Sequence, residues 1–461
     1  MSAGDSGDES TALVGTHPPP AADGYGAVGQ SGVGEEEEDS PSGVPVVVRL
    51  RLLYFLNCFA MSISTPFFVL YTRDEIGLSA GKVGLIAALQ IVGGYAVGPA
   101  VSLLVDRFRI HKPVWIFSIL MGIVPVQLIT TTNSFESALA VGLSIAVLNA
   151  PNSILLDSST LRFLGDRSNE YGKIRLWGAI GWGLGSLVAG SVVQVFGDRL
   201  AFGMCGVLML ATAAVVLSLD FSGLDEDGAE EEDEDDEGGL PLFQIKLLIP
   251  SLKYAIFLMV AVVAGFGATS LQSLLLLFLR DLNAPDFLEG LALSTATVSE
   301  LPVFYASGAI ISRYGANSLI LASMAAFVVR SVLVSFLVNP WLVLPLQLLH
   351  GFTFAGAWTA GVAIAKQNSP PGLETSAQSL FSFAYSGVGG LSGSIVGGQL
   401  YDSLGPRLMY RIKAFVFAAT AMAYALTLID WERLCGPQRK CRRRGGSLTM
   451  HPALSGYHEI R

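Results

Sequence analysis

Residues 185–200 read GSLVAGSVVQVFGDRL, and residues 393–408 read GSIVGGQLYDSLGPRL. Gly185, Gly190, Gly197, Arg199 and Leu200 of the first stretch recur 208 positions later as Gly393, Gly398, Gly405, Arg407 and Leu408. A second correspondence has nearly the same spacing: SLLVDRFR at 102–109 and GAIISRYG at 308–315 place Arg107 and Arg313 206 residues apart. A chain that matches itself at so long an interval is built from two like halves, and in a membrane such halves enclose a solute path near the midplane.

Working outward from these stretches, the chain resolves into apolar runs long enough to cross a hydrocarbon layer of ~30 Å at about 1.5 Å per residue. Twelve such runs lie near 50–71, 83–105, 113–132, 137–156, 174–196, 199–219, 254–279, 288–311, 317–338, 341–365, 376–400 and 410–430. None shows a polar face recurring at helical spacing, so a soluble bundle is excluded. The expected fold is an all-α membrane protein with twelve transmembrane helices in two pseudo-symmetric six-helix bundles. Five segments follow: an acidic N-terminal tail at 1–47, a first bundle at 48–219, an acidic linker at 220–245, a second bundle at 246–430 and a basic tail at 431–461.

Composition supports this reading. Of 461 residues 51% are hydrophobic and 14% charged, with a mean hydropathy of +0.54; soluble domains carry about 25% charged residues. The formal charge of −10 is unevenly placed, because nine acids fall in residues 1–47 and twelve in 220–237. The remainder holds 17 acids against 28 bases, a balance suited to an anionic lipid surface and not a sign of nucleic-acid binding. The tail at 1–47 is too poor in apolar residues to offset its ordering entropy and is expected to be disordered. It shows no secretory signal or transit-peptide pattern. Taking the tails and the even-numbered connections as one side places 20 of the 28 Lys and Arg there; Arg73, Lys82, Arg199, Arg280, Arg407, Arg411 and Lys413 fall opposite. Both termini are therefore expected in the cytoplasm.

One constellation stands out by itself. In the second half Glu300, Arg330 and His350 lie inside apolar runs. Each costs ~2.5–3.5 kcal/mol at a helix centre if unpaired, so they are expected to face a cavity and to pair. Glu300 with Arg330 is either a coupling pair or a static one. Cys58, Cys205, Cys435 and Cys441 have no metal-ligand spacing, and no phosphate-binding loop or nucleophile motif is present. The chain is expected to be no enzyme and to need no cofactor or metal. Its expected partners are a small-molecule solute, a proton and the lipid bilayer, and it is expected to act as a monomer.

The turn after helix 2, with Asp106, Arg107 and the related Arg313, resembles the signature of the major facilitator superfamily, although Ser102 and Ser312 replace a glycine and an aspartate of that pattern. A closer resemblance lies in EYGKIRLWG at 170–178 and the following Gly181-Trp182. It is similar to the lactose permease branch of oligosaccharide/proton symporters and to eukaryotic relatives of mostly unassigned substrate. In that branch an acid ending helix 4, an Arg eighteen residues on and a Trp seven further bind the sugar. The resemblance carries those roles to Asp157, Arg175 and Trp182, whose carboxylate, guanidinium and aromatic face suit the hydroxyls and the apolar side of a sugar or nucleoside. It also implies proton coupling by Glu300, Arg330 and His350. The branch has a second carboxylate three residues after the His, where Thr353 stands here, and its charged pairs to helices 10 and 11 are replaced by Gln347 and Ser386. The implied function is secondary transport of a sugar-like or nucleoside-like solute by alternating access, with proton symport leading. A uniporter or exporter, or a receptor retaining the fold, are the alternatives.

Overall fold

The computed structural model describes residues 45–221, 252–370 and 373–429; residues 1–44 with the disorder expected of the N-terminal tail, residues 222–251 with most of the acidic linker, and the C-terminal tail lie outside the described residues. The first half comprises α1 (Val46–Asp74), α2 (Ala80–Phe108), α3 (His111–Leu128), α4 (Phe135–Leu164), α5 (Tyr171–Phe196) and α6 (Asp198–Ser218). The second comprises α7 (Leu252–Asp281), α8 (Asp286–Tyr314), α9 (Ala316–Ser335), α10 (Pro340–Gln347 with Phe352–Asn368), α11 (Glu374–Ser382, Phe383–Gly389 and Gly390–Leu404) and α12 (Pro406–Leu428). No strand occurs among the described residues. Among the described residues nine helices are long and apolar enough to cross a membrane, ten when the two pieces of α10 count as one span. With α8 and the interrupted α11 the described residues form twelve helices, which fits the expected count.

Local chemistry explains the helix ends. At the start of α4, Ser134 Oγ accepts the Ser137 N–H at 3.2 Å and Ser137 Oγ accepts the Ser134 N–H at 3.1 Å, a reciprocal cap. The sharp α8–α9 connection turns on Gly315 at φ +81°. Its counterpart 206 residues earlier is Arg109, which holds φ +51° without being a glycine. That backbone costs an L-residue about 1–2 kcal/mol.

The two continuous breaks are confined to α10 and α11. Across the α10 break the axis bends by 42°. Beside the break, Ser299 Oγ of α8 accepts the Gly351 N–H at 3.0 Å and lies 3.1 Å from the Gln347 carbonyl, its own proton directed to the Ala296 carbonyl at 2.6 Å; the Gly351 amide is thereby drawn from the Gln347 carbonyl four residues earlier. A side chain inserted into the helical ladder opens it and kinks the rod.

Within each half, aromatic side chains fill the core, as with Phe257 stacked on Phe381 at 6.0 Å and Phe327 against Phe417 at 5.0 Å. Large apolar side chains such as Leu103, Val195, Phe196, Phe415 and Met422 point outward, as a lipid-facing surface requires. Lys413 departs from expectation. Counted from the sequence among the loop charges, it is 1% exposed in α12, with its amine over the rings of Phe266 (5.7 Å) and Tyr410 (4.9 Å).

Candidate functional site

In the first half, a polar chain sets α4 against α1. Trp115 Nε1 donates to Asn152 at 2.8 Å, and Asn152 Nδ2 donates to Asn57 Oδ1 at 2.7 Å. Beyond this anchor, Tyr54 of α1 donates to Asp157 Oδ1 of α4 at 2.5 Å. Arg175 of α5 approaches the other oxygen, Oδ2, at 3.5 Å, and its guanidinium also donates to Tyr171 Oη at 2.8 Å. Asp157 and Arg175 therefore come together in an ion pair. Their side chains are 41% and 61% exposed, so the pair is accessible rather than sealed inside the bundle. Trp182 lies two helical turns further along α5, on the same face and about 10 Å away along the axis. It is half-buried, and its ring makes no hydrogen bond or ring contact among the described residues. Tyr54 and Tyr171 were missed by sequence reasoning. Tyr171 was legible, standing one turn before Arg175 within the EYGKIRLWG stretch; Tyr54, 103 residues from Asp157, was not.

In the second half the three intramembrane charges meet, in a different order from the direct Glu300–Arg330 contact expected. His350 stands between them: its Nε2 is 3.1 Å from Glu300 Oε1, and its Nδ1 is 2.9 Å from Arg330 Nη1. Arg330, 1% exposed, also donates to Thr353 Oγ1 at 3.1 Å and to Gln347 Oε1. A guanidinium can only donate, so Nδ1 must offer its lone pair, which leaves the ring proton on Nε2 to donate to Glu300. The contacts thus fix a neutral His350 between a cation and a carboxylate. Gln347, His350 and Thr353 follow one another at intervals of three along α10, and Arg330 reads all three. Thr353, in place of the branch's carboxylate, and Gln347, in place of a member of its charged pairs, both accept from Arg330.

The halves meet at the end that carries the α1–α2 and α7–α8 connections. Arg73 binds Asp281 at 3.3 Å while Arg280 binds Asp74 at 3.0 Å, two reciprocal bridges between Arg-Asp dipeptides 207 residues apart. Asp402 of α11 accepts the N–H groups of Ala80 and Gly81 at 2.9 and 2.7 Å, capping α2. Its counterpart 208 residues earlier, Gln194 of α5, accepts the Phe287 N–H at 3.0 Å, capping α8. Below each cap the backbones touch. A Cβ on Gly84 would strike the Ser394 carbonyl, and one on Gly290 would strike that of Ser186. These residues share the spacing of the repeat. Only their cross-pairing between halves was invisible in the sequence.

At the other end, Arg107 and Arg313 are exposed in the last turns of α2 and α8, and Arg313 lies over the Tyr314 ring at 5.2 Å. The Asp106 side chain lies outside the described residues. No group of metal-ligating side chains occurs among the described residues.

The MFS_1 like family model matches residues 47–412. Maltose permease of Geobacillus stearothermophilus is 24% identical over 356 residues, covering 76% of this chain and 86% of that protein. A major facilitator superfamily domain-containing protein 6-like of Danio rerio is 23% identical over 270 residues; this covers 58% of the chain and about half, 48%, of the fish protein. Among solved structures, that of the nucleoside transporter NupG superposes with a TM-score of 0.73 at 18% identity, over 83% of this chain and 98% of that one. At that identity the likeness establishes the fold.

Proposed function

The chain belongs to the MFS_1 like family and is a multi-pass membrane transporter rather than an enzyme, and on that premise we propose that it moves a sugar-like or nucleoside-like solute by alternating access in symport with protons. The observation that carries this reading is the exposed Asp157–Arg175 pair, held by Tyr54 and Tyr171 but leaving hydrogen-bonding capacity free. Asp157, Arg175 and Trp182 hold the solute, two through charge-assisted hydrogen bonds and one through its ring face. The names of relatives, a maltose permease and a nucleoside transporter, support this solute class.

Glu300, His350 and Arg330 couple solute movement to a proton. In the arrangement described, Glu300 is kept as a hydrogen-bond acceptor by His350 Nε2–H, which is itself held in that tautomer by Arg330. Parting α8 from α10, rather than from α9, removes that donor and allows Glu300 to take a proton; closing them expels it. Orientation follows the positive-inside balance, with both termini, Asp106, Arg107 and Arg313 on the cytoplasmic side and the latched end on the other. The protein works as a monomer with the segment boundaries given above.

Uptake of labelled sugars and nucleosides into proteoliposomes, with and without an imposed pH gradient, tests this reading. Asp157→Ala, Arg175→Ala and Trp182→Ala are each expected to weaken solute affinity about tenfold or more, the scale of a charge-assisted hydrogen bond or stacked ring of ~1.5–3 kcal/mol. Normal affinity in all three would remove them from the site. Glu300→Gln is expected to abolish accumulation driven by the pH gradient while leaving exchange at equal pH. Accumulation that survives in this variant would show that Glu300 is not the coupling residue and that the Glu300–His350–Arg330 chain is structural.

A further inference from the structure

At the latched end Arg280 is approached by three carboxylates at once: Asp74 at 3.0 Å from α1, Asp286 at the start of α8, and Glu289 at 3.1 Å one turn further on. Arg73, the nearest other cation of the latch, is committed to Asp281, which also accepts from Tyr401 at 2.5 Å. Glu75 and Asp198 add two more acids within electrostatic reach of this group, with Tyr71 and Arg199 at its edge. One guanidinium therefore serves three acids, and water must help the rest. The exposures decide which acid it cannot help. Asp74 and Asp286 are 39% and 21% exposed and line a cavity of about 220 Å³ with Glu75, Asp198 and Arg280. Glu289 is 0% exposed, and neither of its oxygens accepts a hydrogen bond.

A buried carboxylate without hydrogen bonds, sharing its one cation with two competitors, is far cheaper to keep neutral than ionised. We propose that Glu289 is a proton-binding site: its carboxylate takes a proton from water of the compartment facing the latched end as the latch closes, and returns it when the latch opens. Opening parts Gln194 from the Phe287 amide and Gly290 from the Ser186 backbone, which wets the first turn of α8 and solvates the Glu289 charge. The closed latch thus holds one proton more than the open one. By linkage, acid on that side favours closure, and the ratio of open to closed molecules rises up to tenfold per pH unit where the site is protonated closed and ionised open. This site is separate from Glu300, which lies three turns further along α8, and the inference rests on the transport reading only for the existence of an open-latch state.

Spin labels on Lys82→Cys and Ser403→Cys, exposed positions in opposite halves and outside the latch contacts, report the opening as a distance. The full-length chain, with its native cysteines replaced and reconstituted in lipid nanodiscs, is measured by pulsed electron paramagnetic resonance from about pH 5.5 to about pH 8. The expected result is an open fraction that grows with pH at a slope approaching tenfold per unit, abolished in Glu289→Gln and retained with a shifted midpoint in Glu289→Asp. If Glu289→Gln does not fold, the shifted midpoint of Glu289→Asp supports the inference and an unshifted one overturns it. An undiminished slope in Glu289→Gln, or a slope abolished instead by Asp286→Asn, also overturns it. A wild-type distance that responds to added solute but never to pH overturns this inference while leaving alternating access standing.

Discussion

Arg330→Ala is expected to cost about 3–5 kcal/mol of stability, the scale of removing one member of a buried charged network. The substitution strips the donor from His350 Nδ1, Thr353 Oγ1 and Gln347 Oε1 together, and none of these can turn to water because Arg330 and its partners are buried. Freed from Arg330, His350 can also adopt the other tautomer and lose its hold on Glu300. Arg330→Lys keeps the charge but replaces a planar fork by a single nitrogen, so it cannot reach Gln347 and the His350–Thr353 side at once. It is expected to recover part of the stability and little of the coupling. Thermal unfolding of the purified protein in detergent, alongside proton-driven uptake, measures both effects. An Arg330→Ala protein that melts with the wild type would show that the chain through His350 contributes nothing to the fold.

Leucine at Gly84 together with leucine at Gly290 is expected to prop the latched end open and halt transport. At both positions even a Cβ meets a backbone carbonyl of the facing helix, and backbone cannot swing aside as a side chain can. Overpacking of this kind costs about 1–3 kcal/mol per site, and 1.4 kcal/mol is a factor of about ten in a two-state population. A cysteine replacing Val193, which lines the cavity at the latch, is expected to react with a polar thiol reagent at least tenfold faster in the double variant. Transport at the wild-type rate in that variant would mean that closure at this end is no part of the cycle. Because the two crossings are related by the repeat, either leucine alone is expected to act in the same direction.

Much of the fold was readable from local properties. Length and hydropathy of the apolar runs mark membrane helices because lipid leaves the backbone no other partner than itself, and the 206–208 spacing marks two halves because a repeated sequence repeats its packing. Asp157 and Arg175 were legible for a related reason. They sit at the facing ends of consecutive helices, so the short connection between α4 and α5 brings them together. The chemistry of Glu300, Arg330 and His350 was equally visible, since ionisable residues in hydrocarbon must pair.

Which atoms they pair with was decided only in three dimensions. The sequence states that three charges need partners; only the packing of α8, α9 and α10 sets His350 rather than Arg330 against Glu300. The same limit applies at the latch, where Arg73-Asp74 and Arg280-Asp281 read as ordinary helix ends until the halves dock and exchange their bridges. It also applies to Lys413, a loop charge by counting and a buried amine by packing. Hydrophobicity and helical periodicity act between neighbours along the chain and can be read there. A salt bridge, a cap or an inserted hydroxyl depends on distances of a few tenths of an ångström between residues up to 322 positions apart, and these exist only once the helices have packed.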